Sequence, residues 1–121
     1  IDNINFAGEN EINQDLKIKL KKYLNNKNKE IKLNLNLNSK IKKTITSKDK
    51  KGDPKTFSIN IVINLEVFKG QILKNKKNFK ENFDYSNRSN KFNLKQYEKD
   101  IKNNLISKLS NDIIKYLNLI K

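Results

Sequence analysis

Between Ile31 and Thr46 the chain alternates. Ile31, Leu33, Leu35, Leu37, Ile41 and Ile45 fall on one side, and Lys32, Asn34, Asn36, Asn38, Lys40, Lys42, Thr44 and Thr46 on the other. Successive side chains of a strand point to opposite faces, so this is the period of a long strand buried on one face only. A second run repeats it, with Phe57, Ile59, Ile61, Ile63, Leu65 and Val67 on one side. A third follows from Leu73 to Tyr85, with Leu73, Phe79, Phe83 and Tyr85 as its apolar side. Half-buried strands in direct succession predict an antiparallel meander whose apolar face needs a cover.

The connections fit hairpins. Lys48 to Lys55 contains Gly52, Asp53 and Pro54 among lysines and is expected to be a loop. Lys69, Gly70 and Gln71 separate the last two strands. A two-residue turn at Lys69-Gly70 would set Val67 opposite Ile72, whereas burial selects a loop of all three, which pairs Val67 with Leu73, Ile61 with Phe79 and Phe57 with Phe83. A slip by one residue would turn every side chain to the other face.

Two helical stretches supply the cover. Ile4 and Phe6 form a short first strand and Gly8 a bend. From Asn10 the period becomes helical, with Ile12, Leu16, Leu20, Tyr23 and Leu24 on one face, acidic residues early, lysines late, and Asn25 and Asn26 as stop residues. Ser86 to Lys91 breaks the strand pattern. Asn93 is expected to cap a helix of about 26 residues, with Gln96 completing an approximate capping box. Its stripe is Tyr97, Ile101, Leu105, Leu109, Ile113, Tyr116, Leu117 and Ile120. The predicted fold is α+β, a β-α-β-β-β-α two-layer sandwich: a mostly antiparallel sheet with two helices on one face. No repeat or linker divides residues 1–121, so a single domain is expected.

The residue inventory narrows the chemistry. Cys, His, Met and Trp are all absent, which removes thiol nucleophiles, disulfides and the common histidine sites. A chain starting at Ile1 without Met is expected to be a processed or trimmed form, with any signal or anchor upstream. No apolar run approaches the ~20 residues of a membrane span. The carboxylates are scattered: Asp49 and Asp53 suit turns, Glu98 and Asp100 an early helical turn, and Glu66 and Asp84 a solvated strand face. The three glycines lie far apart, each at a turn, so no phosphate loop is present. Neither a catalytic role nor a cofactor or metal is expected.

What remains is surface. The net charge is +14, yet of 27 basic residues only Arg88 is arginine. A polyanion partner would explain the charge. So would a coding bias towards Lys, Asn and Ile, and phosphate sites tend to favour arginine. The densest basic cluster is Lys48, Lys50, Lys51 and Lys55, on the predicted hairpin loop. Lys40 and Lys42 lie among asparagines on the polar strand face. These six are the candidate ligand-binding residues, for phosphate. The polar face is either solvated or a hydrogen-bonding platform.

A family resemblance sharpens this. Leu65-Glu66-Val67-Phe68 ends a strand that turns at Gly70, and Phe83-Asp84-Tyr85-Ser86 ends the next. Asn87-Arg88-Ser89-Asn90-Lys91-Phe92 then precedes a helix with the rhythm Tyr97, Asp100, Leu105, Leu109 and Ile113. In these features the chain resembles the lipopolysaccharide-assembly lipoproteins, the LptE family. It departs from the family at Lys91, where a proline is usual, and in a last helix with Asn, Lys and Ser at usually small positions. The resemblance implies a lipoprotein that is not an enzyme, held on the periplasmic face of the outer membrane by an N-terminal lipid anchor. It implies that the protein binds lipopolysaccharide and plugs the lumen of an LptD-like outer-membrane β-barrel, with no nucleic-acid partner. It pins no individual lipid-binding residue.

The alternative is a cytoplasmic RNA-binding module like a double-stranded-RNA-binding domain, which shares an α-β-β-β-α core and positive charge. Long strands and a last helix without a lysine-rich start argue against it, as does the lack of paired aromatics for base stacking. The many lysines should also guard the sheet edges, predicting a monomer in isolation.

Overall fold

The computed structural model describes residues 3–25 and 33–120. Its elements are β1 (Asn3–Gly8), α1 (Asn10–Asn25), β2 (Asn34–Lys48), β3 (Pro54–Lys69), β4 (Ile72–Ser86) and α2 (Lys91–Leu119). The sheet order is β1-β2-β3-β4, with β1 parallel to β2 and the other pairs antiparallel. This is the α+β order that the alternation predicts. Asn26, Ile31, Lys32 and the side chains of Tyr23 and Leu24 lie outside the described residues.

β3 has a neighbour on each side, and Ile59, Ile61, Ile63 and Leu65 on it are completely buried. The β2–β3 register sets Leu35 beside Val67, Leu37 beside Leu65 and Ile41 beside Ile61, so the apolar rows run across strands. Onto this face α1 lays Ile12, Leu16 and Leu20, and α2 lays Leu94, Ile101, Leu105, Ile106, Leu109, Ile113 and Leu117, in one cluster. The 29 residues of α2 give it a length of about 43 Å, close to that of the strands it covers.

Ser39 interrupts the apolar row of β2 and is fully buried. Its hydroxyl donates to Asn13 Oδ1 at 2.7 Å, and Asn13 Nδ2 donates to the Ala7 carbonyl at 3.0 Å. The Glu9 amide donates to the Ser39 carbonyl at 3.2 Å. The backbone at Gly8 has a φ of 93°, and a Cβ there would lie 2.0 Å from the Ser39 carbonyl oxygen. Only glycine fits this junction of β1, α1 and β2.

Two predictions of detail are corrected. The β3–β4 turn holds two residues, Gly70 and Gln71, because Lys69 pairs with Ile72 and Phe68 with Leu73. A bulge at Lys74 follows, after which Val67 pairs with Asn75, Ile63 with Phe79, Ile59 with Phe83 and Phe57 with Tyr85. The predicted register is therefore two residues off along most of the ladder. An even shift keeps Phe79 and Tyr85 on the covered face, but Leu73 precedes the bulge and takes the other. Ile45 and Phe83, predicted on the apolar side, are 50% and 43% exposed. The second correction concerns α2, which is capped by Asn90 and not Asn93. Asn90 Oδ1 accepts from the amides of Phe92 at 3.0 Å and Asn93 at 3.2 Å, so Asn93 lies in the first turn.

Candidate ligand-binding surface

The β2–β3 hairpin tip is held by Asp49. Its Oδ1 accepts from the amides of Lys51 at 2.9 Å and Asp53 at 3.0 Å, while its carbonyl accepts from Gly52 at 3.0 Å. Gly52 takes a φ of 89° to close the turn. Lys48, Lys50, Lys51 and Lys55 all stand exposed around this loop.

The fold adds two cations that the sequence reading did not assign to this end. The Asn87 amide donates to the Lys55 carbonyl and Asn87 Nδ2 to the Pro54 carbonyl, both at 2.9 Å. This ties the β4–α2 connection to the hairpin base. A hollow of about 310 Å³ opens there, lined by Asp53, Pro54, Asn87, Arg88, Ser89 and Lys91. The Arg88 guanidinium lies 4.0 Å from the Tyr97 ring centre. The β3–β4 pairing brings Arg88 and Lys91 there: Thr56 pairs with Ser86, which returns the chain to the hairpin base just before Arg88. Exposed ammonium groups around a small loop suit a multivalent anion better than one bidentately held phosphate.

Lys40 and Lys42 are not part of that cluster. They stand on the open face, as Cα partners of Val62 and Asn60, about 26 and 20 Å along the strand from Lys48. Lys80 is the next strand's partner of Val62, so it shares a row with Lys40.

The open face also forms a shallow trough of about 570 Å³. Register brings Asn5, Asn36, Glu66 and Lys76 into one row, and Ala7, Asn38, Asn64 and Asn78 into the next. Asn5 Nδ2 donates to Asn36 Oδ1 at 3.1 Å. Asn34 Oδ1 is buried with no hydrogen-bond partner among the described residues. Such a surface offers donors and acceptors in alternation and suits a polar, wet partner.

On the covered face, near the basic end, Glu98 of α2 meets the sheet. It accepts a hydrogen bond from the Tyr85 hydroxyl and pairs with Lys43 Nζ at 2.7 Å. Burial raises the Tyr85 hydroxyl well above the ordinary phenol range, and the Glu98 carboxylate raises it further. Burial also works to raise Glu98, but the hydrogen bonds from Lys43 and Tyr85 prevail and hold it below its usual value. Lys43 also lies over the Phe57 ring at 4.3 Å, and Tyr85 packs edge-on to Tyr97. The cluster clamps α2 to the sheet. The expectation that Glu98 simply suits an early helical turn is thus too narrow, because contacts to other elements were not visible from its place in the helix.

No protein-family model matches the chain, and no curated protein sequence does. Solved structures do match. The rare lipoprotein B from Shewanella oneidensis superposes with a TM-score of 0.71 at 12% identity, over 98% of this chain and 96% of that one. A minor lipoprotein from Acinetobacter baumannii gives 0.70 at 12% identity, over 94% and 88% of the two chains. Lipoprotein B from Nitrosomonas europaea gives 0.61 at 11% identity, over 96% and 79%. The likeness is one of fold, and it runs nearly end to end.

Proposed function

We propose that this chain is an outer-membrane lipoprotein of the lipopolysaccharide-assembly type. It acts by binding and not by catalysis. Anchored by an N-terminal lipid at the periplasmic face, it binds lipopolysaccharide and fills the lumen of an LptD-like barrel. The observation that carries this reading is the end-to-end fold match to a rare lipoprotein, 98% of one chain against 96% of the other.

The chemistry of the surface supports it. The apolar face is covered by α1 and α2, and the hollows described on the surface are shallow and lined mainly by polar residues. Recognition is therefore of a headgroup and not of acyl chains. Phosphates of a glycolipid would be drawn to Lys48, Lys50, Lys51 and Lys55, with Arg88 and Lys91 behind them, through an attraction that salt weakens. The asparagine rows of the open face would meet a polar barrel wall by hydrogen bonds, many through water.

The test is to isolate the native protein from envelopes. A lipid-modified N-terminal cysteine in its mass spectrum, with a β-barrel protein co-purifying, is the expected result. A soluble cytoplasmic protein that co-purifies with RNA would overturn the proposal.

A further inference from the structure

The end of the sheet opposite the basic hairpin is built differently. At the β3–β4 turn Ile72 is 62% exposed and Leu73 46% exposed, in direct succession after Gly70 and Gln71. Leu73 pairs with half-buried Phe68, whose neighbour on β2 is Asn34. Ile72 pairs with Lys69 and takes the opposite face. The tip is thus apolar on both sides. Lys69, Lys74 and Lys76 are exposed around it, and Glu66, the Cα partner of Lys76, is the carboxylate in this stretch.

A flat apolar patch on one face docks against a flat partner. A two-stranded tip that is apolar on both sides and collared by lysines suits immersion instead. Its apolar side chains would enter the boundary of a bilayer while the ammonium groups reach lipid phosphates. A second observation places the rest of the chain. Asn3 pairs with Asn34 and Asn34 with Phe68, so β1 begins at this same end.

We propose that the β3–β4 tip is a membrane-contacting element that inserts Ile72 and Leu73 into an anionic bilayer surface. The proposal stands on the tip's own geometry, independent of glycolipid binding. Its orientation alone rests on the lipoprotein reading proposed above, in which a lipid on the chain preceding β1 would set this end on the bilayer. The basic hairpin would then stand about 50 Å away, at the far end of the strands. Each lysine close to an anionic surface strengthens binding about fivefold, so the collar supplies the attraction and the tip the depth.

The chain has no tryptophan, so Leu73→Trp creates a single reporter. With vesicles of phosphatidylglycerol and phosphatidylcholine its emission should shift to the blue and be quenched by brominated lipid. Phe83→Trp, an exposed position ten residues farther along β4 and outside the basic hairpin, should do neither. Ile72→Asp combined with Leu73→Asp in the otherwise unchanged chain should lower vesicle co-sedimentation about tenfold or more, with an unchanged circular dichroism spectrum. Pure phosphatidylcholine vesicles should bind markedly less. The proposal is overturned if Leu73→Trp stays unshifted, if Phe83→Trp shifts equally, or if the double aspartate variant sediments like the parent. None of these outcomes touches lipopolysaccharide binding by the hairpin lysines, which is read separately with the hairpin variants.

Discussion

The two faces of one sheet make the instructive contrast. On the covered face of β3, Ile59, Ile61, Ile63 and Leu65 are sealed from water. On the other face of the same strand stand Asn60, Asn64 and Glu66, only partly buried. The ladder hydrogen bonds are common to both faces, so they do not distinguish them. The period of two does, by sending greasy side chains one way and polar ones the other. Stability should therefore be concentrated on the covered face, and the open face should be free to change for recognition.

Substitutions can break that contrast. The largest effect is expected at Leu109, which is completely buried beneath the sheet. Leu109→Ala should cost ~2–5 kcal/mol in urea unfolding, and a loss below ~0.5 kcal/mol would place it outside the core. Gly8→Ala comes next, at about 2–3 kcal/mol. There a methyl group would collide with the Ser39 carbonyl in a backbone conformation that alanine disfavours. A stable Gly8→Ala variant would show that the β1–α1 junction can move.

The Tyr85–Glu98–Lys43 clamp is smaller. Tyr85→Phe should cost about 1 kcal/mol, one hydrogen bond to a charged acceptor partly open to water. The same cluster has a pH signature. A carboxyl whose folded pKa is depressed adds stability that is complete above its unfolded value and is lost as pH falls through the folded one. Stability should thus decline as pH drops below the ordinary carboxylate value of 4.5, and Glu98→Gln should flatten part of that decline. Identical pH profiles for the two proteins would remove the clamp from the account. Least of all should change on the open face: Asn64→Ala is expected to stay within about 0.5 kcal/mol, and a cost near that of Leu109→Ala would erase the contrast.

Alternation made much of this architecture legible. It located the three long strands and assigned Ile59, Leu65, Phe79 and Tyr85 to the buried side. The helical stripe did the same for Ile101, Leu105, Leu109 and Ile113. The β3–β4 register was not legible, because alternation fixes parity and not pairing. The two-residue turn shifts the pairing by one and the bulge at Lys74 by one more, so parity is restored over most of β4. Ser39 was missed because it takes an apolar position and is satisfied by Asn13, 26 residues away in sequence. Among the candidate lysines, four share a local loop that sequence distance alone could group. Lys40 and Lys42 belong to a separate strand-borne row, whereas Arg88 and Lys91 reach the basic end only through the fold.

The central claim is that this basic end binds the phosphates of lipopolysaccharide. The most direct measurement titrates purified protein with lipopolysaccharide and compares three forms. One is the parent; one carries Lys48→Glu, Lys50→Glu, Lys51→Glu and Lys55→Glu; one carries Lys17→Glu, Lys21→Glu, Lys95→Glu and Lys99→Glu on the helices, with the same net charge. The account predicts affinity about tenfold or more weaker for the hairpin variant alone, with a shallower salt dependence. Equal binding by the parent and the hairpin variant, or equal weakening in both variants, would contradict it.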